Sequence, residues 1–137
     1  MLDISAMHEG LVLPGLEKSI TREKINLYAQ ASRDFDPIHI DEEFAKKSPA
    51  GGLIAHGMLS LAYVSQLMTY AFGIKWLTGG KMNVRFKSPA RPGDVIRVSG
   101  KIGRVAQEQY KTTIVCDLTC TNQNGEIIIT GEASVQT

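Results

Sequence analysis

Apolar positions recur at helical spacing through the first half of the chain and alternate residue by residue through the second. Leu11 to Ile20 reads as a short extended segment with a turn at Pro14-Gly15. Thr21 is placed to cap a helix running to about Ser32, with Glu23 in the first turn, where the helix dipole favours an acid. Ile25, Tyr28 and Ala29 form its buried stripe. Pro37 disfavours helical geometry at Asp36, so Asp34 to Ile40 is expected to be a constrained loop. Asp41 then caps a short helix, Glu42 to about Lys47, which ends at Ser48-Pro49-Ala50-Gly51-Gly52. The next helix, His56 to about Phe72, is apolar nearly all the way round. Such a helix must be enclosed, by the protein's own sheet or by a partner.

Gly73, Gly79 and Gly80 predict bends around a strand pair leading into Lys81 to Lys87. Arg91-Pro92-Gly93-Asp94 is a turn signal. Beyond it Ile96, Val98 and Ile102 alternate with Arg97, Ser99 and Lys101. Tyr110, Thr112, Ile114, Cys116, Leu118 and Cys120 share one face of the following run. Asn124-Gly125, a strong hairpin signal, joins that run to Ile127, Ile129, Gly131, Ala133 and Val135. One enclosed helix followed by an antiparallel sheet long enough to wrap it makes an α+β fold, expected to be a single domain over 1–137.

Composition narrows the function classes. The 43% hydrophobic and 21% charged fractions exclude a disordered chain. Fifteen Lys plus Arg against fourteen Asp plus Glu leave a formal charge of +1, which argues against a nucleic-acid partner and a basic membrane anchor. Met1 to Gly10 shows no leader pattern, and Met58 to Ile74 is too broken by Ser60, Ser65, Gln66 and Thr69 to span a membrane. Cys116 and Cys120, four apart on a strand, would lie roughly 13 Å from each other, too far for a mutual disulfide. Reduced core thiols suit a cytoplasmic protein.

The densest polar cluster runs from Ser32 to Asp41. Within it Asp34 and His39, five residues apart and linked through a proline, are able to face one small volume and share a water. The same residues have plainer uses: Asp-Pro starts turns, Asp41 caps a helix, and loop histidines are commonly just solvated. A metal site is the competing chemistry, since Asp34, His39, Asp41 and His56 are ligand types. No His-x-x-x-His or Cys-x-x-Cys spacing supports it, and no metal is expected. At Ile54-Ala55-His56-Gly57-Met58 the apolar helix begins, and the Gly57 N–H is available as an oxyanion donor. The plainer alternative is that Gly57 permits close packing and His56 is a core residue. Ser65, on the face of Leu61 and Met58, commonly would bond back to the preceding helical turn. Lys87, Arg91, Arg97 and Lys101 read as a solvated face.

Asp34-Phe-Asp-Pro-Ile-His39 followed by Ile54-Ala-His-Gly-Met-Leu59 resembles the signature of the MaoC-like, (R)-specific enoyl-CoA hydratases, the hydratase 2 family. The likeness runs from Tyr28 through Met68 and, more loosely, over Val84-Arg-Phe-Lys-Ser-Pro89 and Pro92-Gly-Asp94 to the C-terminal strands. The resemblance implies a hot-dog fold, a curved antiparallel sheet wrapped around one long helix. It implies that Asp34 and His39 activate a water for addition across a trans-2-enoyl thioester, giving an (R)-3-hydroxyacyl thioester, or catalyse the reverse dehydration. Gly57 would hold the thioester oxygen as enolate charge develops, and Ser65 would support the aspartate. His56 and Met58 would contact substrate, and the apolar helix would line the acyl tunnel. An acyl thioester of CoA or of acyl carrier protein, no cofactor, and a homodimer made by joining two sheets are the implied partners.

Two positions depart from the family's usual Gly-Asp-x-Asn-Pro: Arg33 precedes the aspartate, and Asp36 stands in place of asparagine. Asn offers a donor and an acceptor, ionised Asp only acceptors. Asp36 is expected to form the turn rather than to touch substrate. A hot-dog thioesterase is the main enzymatic rival, but His56 to Phe72 carries no Asp or Glu. A binding-only protein, or one half of a heterodimeric dehydratase, is the other alternative.

Overall fold

The computed structural model describes residues 1–137. After a short 3₁₀ turn at Ile4–Ala6 come strand β1 (Leu16–Ser19) and helices α1 (Arg22–Ser32), α2 (Pro37–Ile40), α3 (Glu42–Lys47), α4 (Gly57–Phe72) and α5 (Ile74–Gly79). Strands β2 (Lys81–Phe86), β3 (Val95–Gln107), β4 (Thr112–Thr121) and β5 (Ile127–Gln136) complete the chain. The five strands form one sheet in the order β1-β3-β4-β5-β2, antiparallel throughout.

Period-two alternation decides which face is covered. Ile96, Val98 and Ile102 of β3, Ile114, Cys116, Leu118 and Cys120 of β4, and Ile129, Ala133 and Val135 of β5 are all buried in one core cluster. From α4 that core receives Leu59, Val64, Leu67, Met68, Ala71 and Phe72, and from α1 it receives Ile25. Two irregularities bend the sheet around α4. One lies between Ile102 and Arg104, the other between Cys120 and Thr121, where β5 inserts Ile128 as an unpaired residue. Gly131 lets β2 come close, because a Cβ there would lie 2.2 Å from the Asn83 carbonyl oxygen. A curved antiparallel sheet holding a 16-residue helix is the hot-dog arrangement.

The sheet covers one side of α4 only. Met58, Ala62 and Tyr70, spaced along one helical face, stay exposed. No helix is long and apolar enough to cross a membrane. Cys116 and Cys120 are free and buried, and burial pushes their thiols up, to about 12 for Cys116, with the Asp117 charge adding to it, and to about 11 for Cys120.

Three sequence expectations are corrected. Asp34 to Ile40 is not all loop: α2 starts at Pro37, because proline bars helical geometry at the residue before it yet fits the first helical position. The segment between Gly73 and Gly80 is α5 and not a strand pair. Gly73, at φ 56°, ends α4, and Trp76 packs against Gly80, where no side chain would fit. Tyr110 lies in the β3–β4 turn, 90% exposed, and takes no part in the buried face of β4.

Candidate active site

The site begins where α1 stops. Arg33 adopts a left-handed conformation, φ 60° and ψ 24°, the backbone shape that most often closes a helix with glycine. The chain reverses there, and the Asp34 N–H donates to the Ser32 hydroxyl at 3.2 Å. Two nested turns follow. Asp34 Oδ1 accepts from the Asp36 N–H at 3.2 Å, and Asp36 Oδ1 accepts from the Ile38 N–H at 3.0 Å, capping α2. Asp and Asn cap helices about equally well, which accounts for Asp36 at this position. Asp41 likewise caps α3 through the Phe44 N–H.

His39, on α2, is oriented by a neighbouring strap of chain. Its Nδ1 lies 2.8 Å from the Ile54 carbonyl oxygen. A carbonyl only accepts, so Nδ1 carries the hydrogen and the unprotonated Nε2 of the neutral ring points away. It faces Asp34 Oδ2 at 4.0 Å, with the His39 side chain 11% and the Asp34 side chain 51% exposed. That separation is too long for a direct hydrogen bond and suits a water bonded to both groups. The strap itself is tied on both sides: the Ile54 N–H donates to Ile38 O, the Ala55 N–H to Ala90 O, and Arg91 Nη2 to Ala50 O.

The strap ends at His56, which precedes α4 without capping it through its side chain. No protein group accepts from the Gly57 or Met58 N–H, so both keep the unpaired character of a helix start. A cleft of about 320 Å³ opens here, bounded by His39, Gly57, Ser60, Phe86, Lys87 and Ile128. It brings the His39 ring and the start of α4 to one opening. The Phe86 ring covers Gly57 so closely that a Cβ at position 57 would lie 3.1 Å from it.

Asp34, His39 and His56 also place nitrogen and oxygen atoms within 4.8 Å of one another. They are not arranged around a cation. The two imidazoles are stacked, with centroids 3.8 Å apart and planes 24° apart, so their in-plane lone pairs run side by side instead of converging. His56 Nε2 is further committed to the Asp34 carbonyl oxygen at 3.0 Å.

The structure thus brings Asp34, Asp36, His39 and Gly57 together and separates three other residues from the substrate roles or contacts expected of them. His56 is 2% exposed and lies behind His39, off the cleft wall. Met58, one residue on and so about 100° round the helix from Gly57, is 57% exposed on the outer stripe of α4. Ser65 is two turns further along, and its hydroxyl accepts the Trp76 indole N–H at 2.9 Å; no hydrogen bond joins it to Asp34. The basic residues divide as well: Lys87 borders the cleft, Arg91 ties the strap, and Arg97 pairs with Glu17. Ser60, Phe86 and Ile128 were not singled out by sequence reasoning. Ser60 had a readable signal in its i+3 spacing from Gly57 on the same helix, and Phe86 falls within the Val84–Pro89 stretch of the resemblance.

A sequence model described as the MaoC like domain matches residues 5–124. An (R)-specific enoyl-CoA hydratase of Rhodospirillum rubrum is 31% identical over 120 residues, covering 88% of this chain and 81% of that protein. A 3-hydroxybutyryl-CoA dehydratase of Methylorubrum extorquens is 27% identical over 121 residues, covering 88% and 75%. The solved (R)-hydratase from A. caviae involved in PHA biosynthesis superposes with a TM-score of 0.79 at 26% identity, over 95% of this chain and 96% of that one. The matched span holds both nested turns, the strap, the whole of α4 and strands β1 to β4, and on that ground the chain belongs to the MaoC-like domain family.

Proposed function

We propose that this protein is an (R)-specific hydratase/dehydratase that adds water to trans-2-enoyl thioesters, giving (R)-3-hydroxyacyl thioesters, with CoA as the carrier class and acyl carrier protein as the alternative. The observation that carries the reading is Asp34 Oδ2 facing His39 Nε2 at 4.0 Å, beside a cleft that also holds the unpaired Gly57 N–H. Both groups are acceptors, so a water between them is oriented by its two O–H bonds. As its oxygen bonds the β-carbon, one proton passes to the Asp34–His39 pair. The alkene electrons shift onto the thioester oxygen, where the Gly57 N–H stabilises the enolate. Return of that proton to the α-carbon completes addition with no bond to sulfur broken. Asp36 acts by capping the helix that carries His39. No cofactor enters this sequence of steps.

The same reading includes a homodimer and a cytoplasmic setting. Strand β2 ends the sheet with one edge unpaired, and the bare Met58–Tyr70 stripe of α4 offers apolar surface for a second copy. Two unbridged buried cysteines suit a reducing compartment. One core cluster drawing on α1, α4 and the strands supports a single domain over 1–137.

Loss of enoyl-thioester absorbance with crotonyl-CoA and with a longer enoyl-CoA tests the reaction, together with chiral analysis of the product. Turnover is expected in the wild type, with about 10²–10⁴-fold losses in Asp34→Asn and His39→Ala. Release of free CoA thiol would instead identify a thioesterase. Binding without turnover by the folded protein would identify a binding-only or partner-dependent subunit.

A further inference from the structure

His56 touches the groups that the proposed reaction uses without facing the cleft. Its Nε2 lies 3.0 Å from the carbonyl oxygen of Asp34, its ring stacks on His39 at 3.8 Å, and its own peptide leads directly into Gly57. Tyr28 also packs on it, with ring centroids 4.8 Å apart, and His56 is 2% exposed. The acceptor is a carbonyl, so Nε2 carries the hydrogen and Nδ1 is left as a bare acceptor. That Nδ1 is buried and has no partner. Leaving a buried acceptor unsatisfied costs free energy, on the order of 1–3 kcal/mol. The tautomer is set by its other nitrogen, which donates to the Asp34 carbonyl.

We infer that His56 is a positioning residue for the Asp34–His39 pair: its Nε2–H fixes the Asp34 backbone beside the His39 ring on which it packs. The inference rests on the hydration reading above. The Asp34 side chain is 51% exposed, and its carboxylate accepts one hydrogen bond, from the Asp36 N–H. The Asp34 main chain follows a strained left-handed residue, and the bond from His56 ties that turn to the start of α4. The His39 ring is held at one edge by Ile54 O and at one face by His56. Removing the bond to the Asp34 carbonyl lets the two reacting groups drift from 4.0 Å, and a misplacement near 1 Å is worth about 100-fold in rate.

The experiment compares two amides of different reach. Gln at position 56 places an N–H where His Nε2–H now sits; Asn stops at the Nδ1 position and, as a good helix cap, keeps the start of α4 intact. Crotonyl-CoA hydration is measured for wild type, Asp34→Asn, His56→Asn and His56→Gln, with thermal unfolding alongside. The expected result is a drop in kcat of about 100-fold in His56→Asn with KM within about threefold, and recovery to within about tenfold of wild type in His56→Gln. An Asn variant as active as wild type overturns the assignment, and so does a folded Gln variant as impaired as Asn. Wild type and Asp34→Asn turning over alike would overturn the hydration reading instead, which keeps the two failures apart.

Discussion

The Asp36 carboxylate accepts the Ile38 N–H at 3.0 Å, one residue before His39. The side chain acts on α2 and so sets where the imidazole sits. Asp36→Asn is expected to keep the cap, changing stability by less than about 0.5 kcal/mol and kcat by less than about threefold. Asp36→Ala should cost about 1 kcal/mol and lower kcat further, because α2 loses its fixed start. Urea unfolding and initial rates on the three proteins check both parts.

Arg33 occupies a left-handed conformation that costs an L-residue about 1–2 kcal/mol. Arg33→Gly removes that strain and adds back some freedom to the unfolded chain, about 0.4–1 kcal/mol. The net expectation is a gain of roughly 0.5–1 kcal/mol, read as a higher urea midpoint. A β-branched Arg33→Val should move the midpoint down.

Gly57→Ala places a methyl 3.1 Å from the half-exposed Phe86 ring. Phe86 has solvent to move into, so stability should change by less than about 1 kcal/mol. The methyl and the displaced ring both sit where a substrate carbonyl must approach the Gly57 N–H, and kcat/KM should fall about 10–100-fold. The Gly57→Ala/Phe86→Ala double variant should recover part of that loss, a coupling that a double-mutant cycle measures.

Ser65 accepts the Trp76 indole N–H. Ser65→Ala leaves that half-buried donor without a partner and should cost about 1 kcal/mol with kcat unchanged within about twofold. A fall in kcat without loss of stability would instead tie Ser65 to Asp34.

The thiols of Cys116 and Cys120 are pushed up to about 12 and about 11. The native state therefore keeps both protons where the unfolded chain, with ordinary thiols near 9, loses them. Stability from this source is fully present below about pH 9 and declines as pH rises toward 11–12. Urea midpoints measured from pH 8 to pH 10.5 should fall, and less steeply after Cys116→Ala/Cys120→Ala. Iodoacetamide should label the unfolded chain and spare the native one at pH 8.

Most of the frame was legible because it follows from local pattern. The Thr21 and Asp41 caps, the α4 limits, the alternation of β3 and β4 and the Asn124-Gly125 turn all use short-range chemistry. The Asp34–His39 pairing was legible for the same reason, being five residues apart. What escaped was long-range. The placement of His56 behind His39 depends on an Asp34 carbonyl 22 residues away, and the bond of Ser65 depends on Trp76, in a segment whose glycines suggested bends. The Ile128 wall depends on a strand irregularity that no alternation pattern reveals.

That irregularity changes what kind of mutation the cleft is sensitive to. Ile128 reaches the cleft because β5 carries one residue more than β4 between the pairs Cys120–Ile129 and Thr121–Ile127. The cleft wall is therefore encoded in a residue count as well as in an identity. Exchanging Ile128 for valine or leucine keeps the count, whereas deleting it evens out the ladder and withdraws the wall altogether. Length changes between Asn122 and Ile129 therefore act on this site, and a chain repaired to perfect pairing there would be a more regular sheet with a worse cleft.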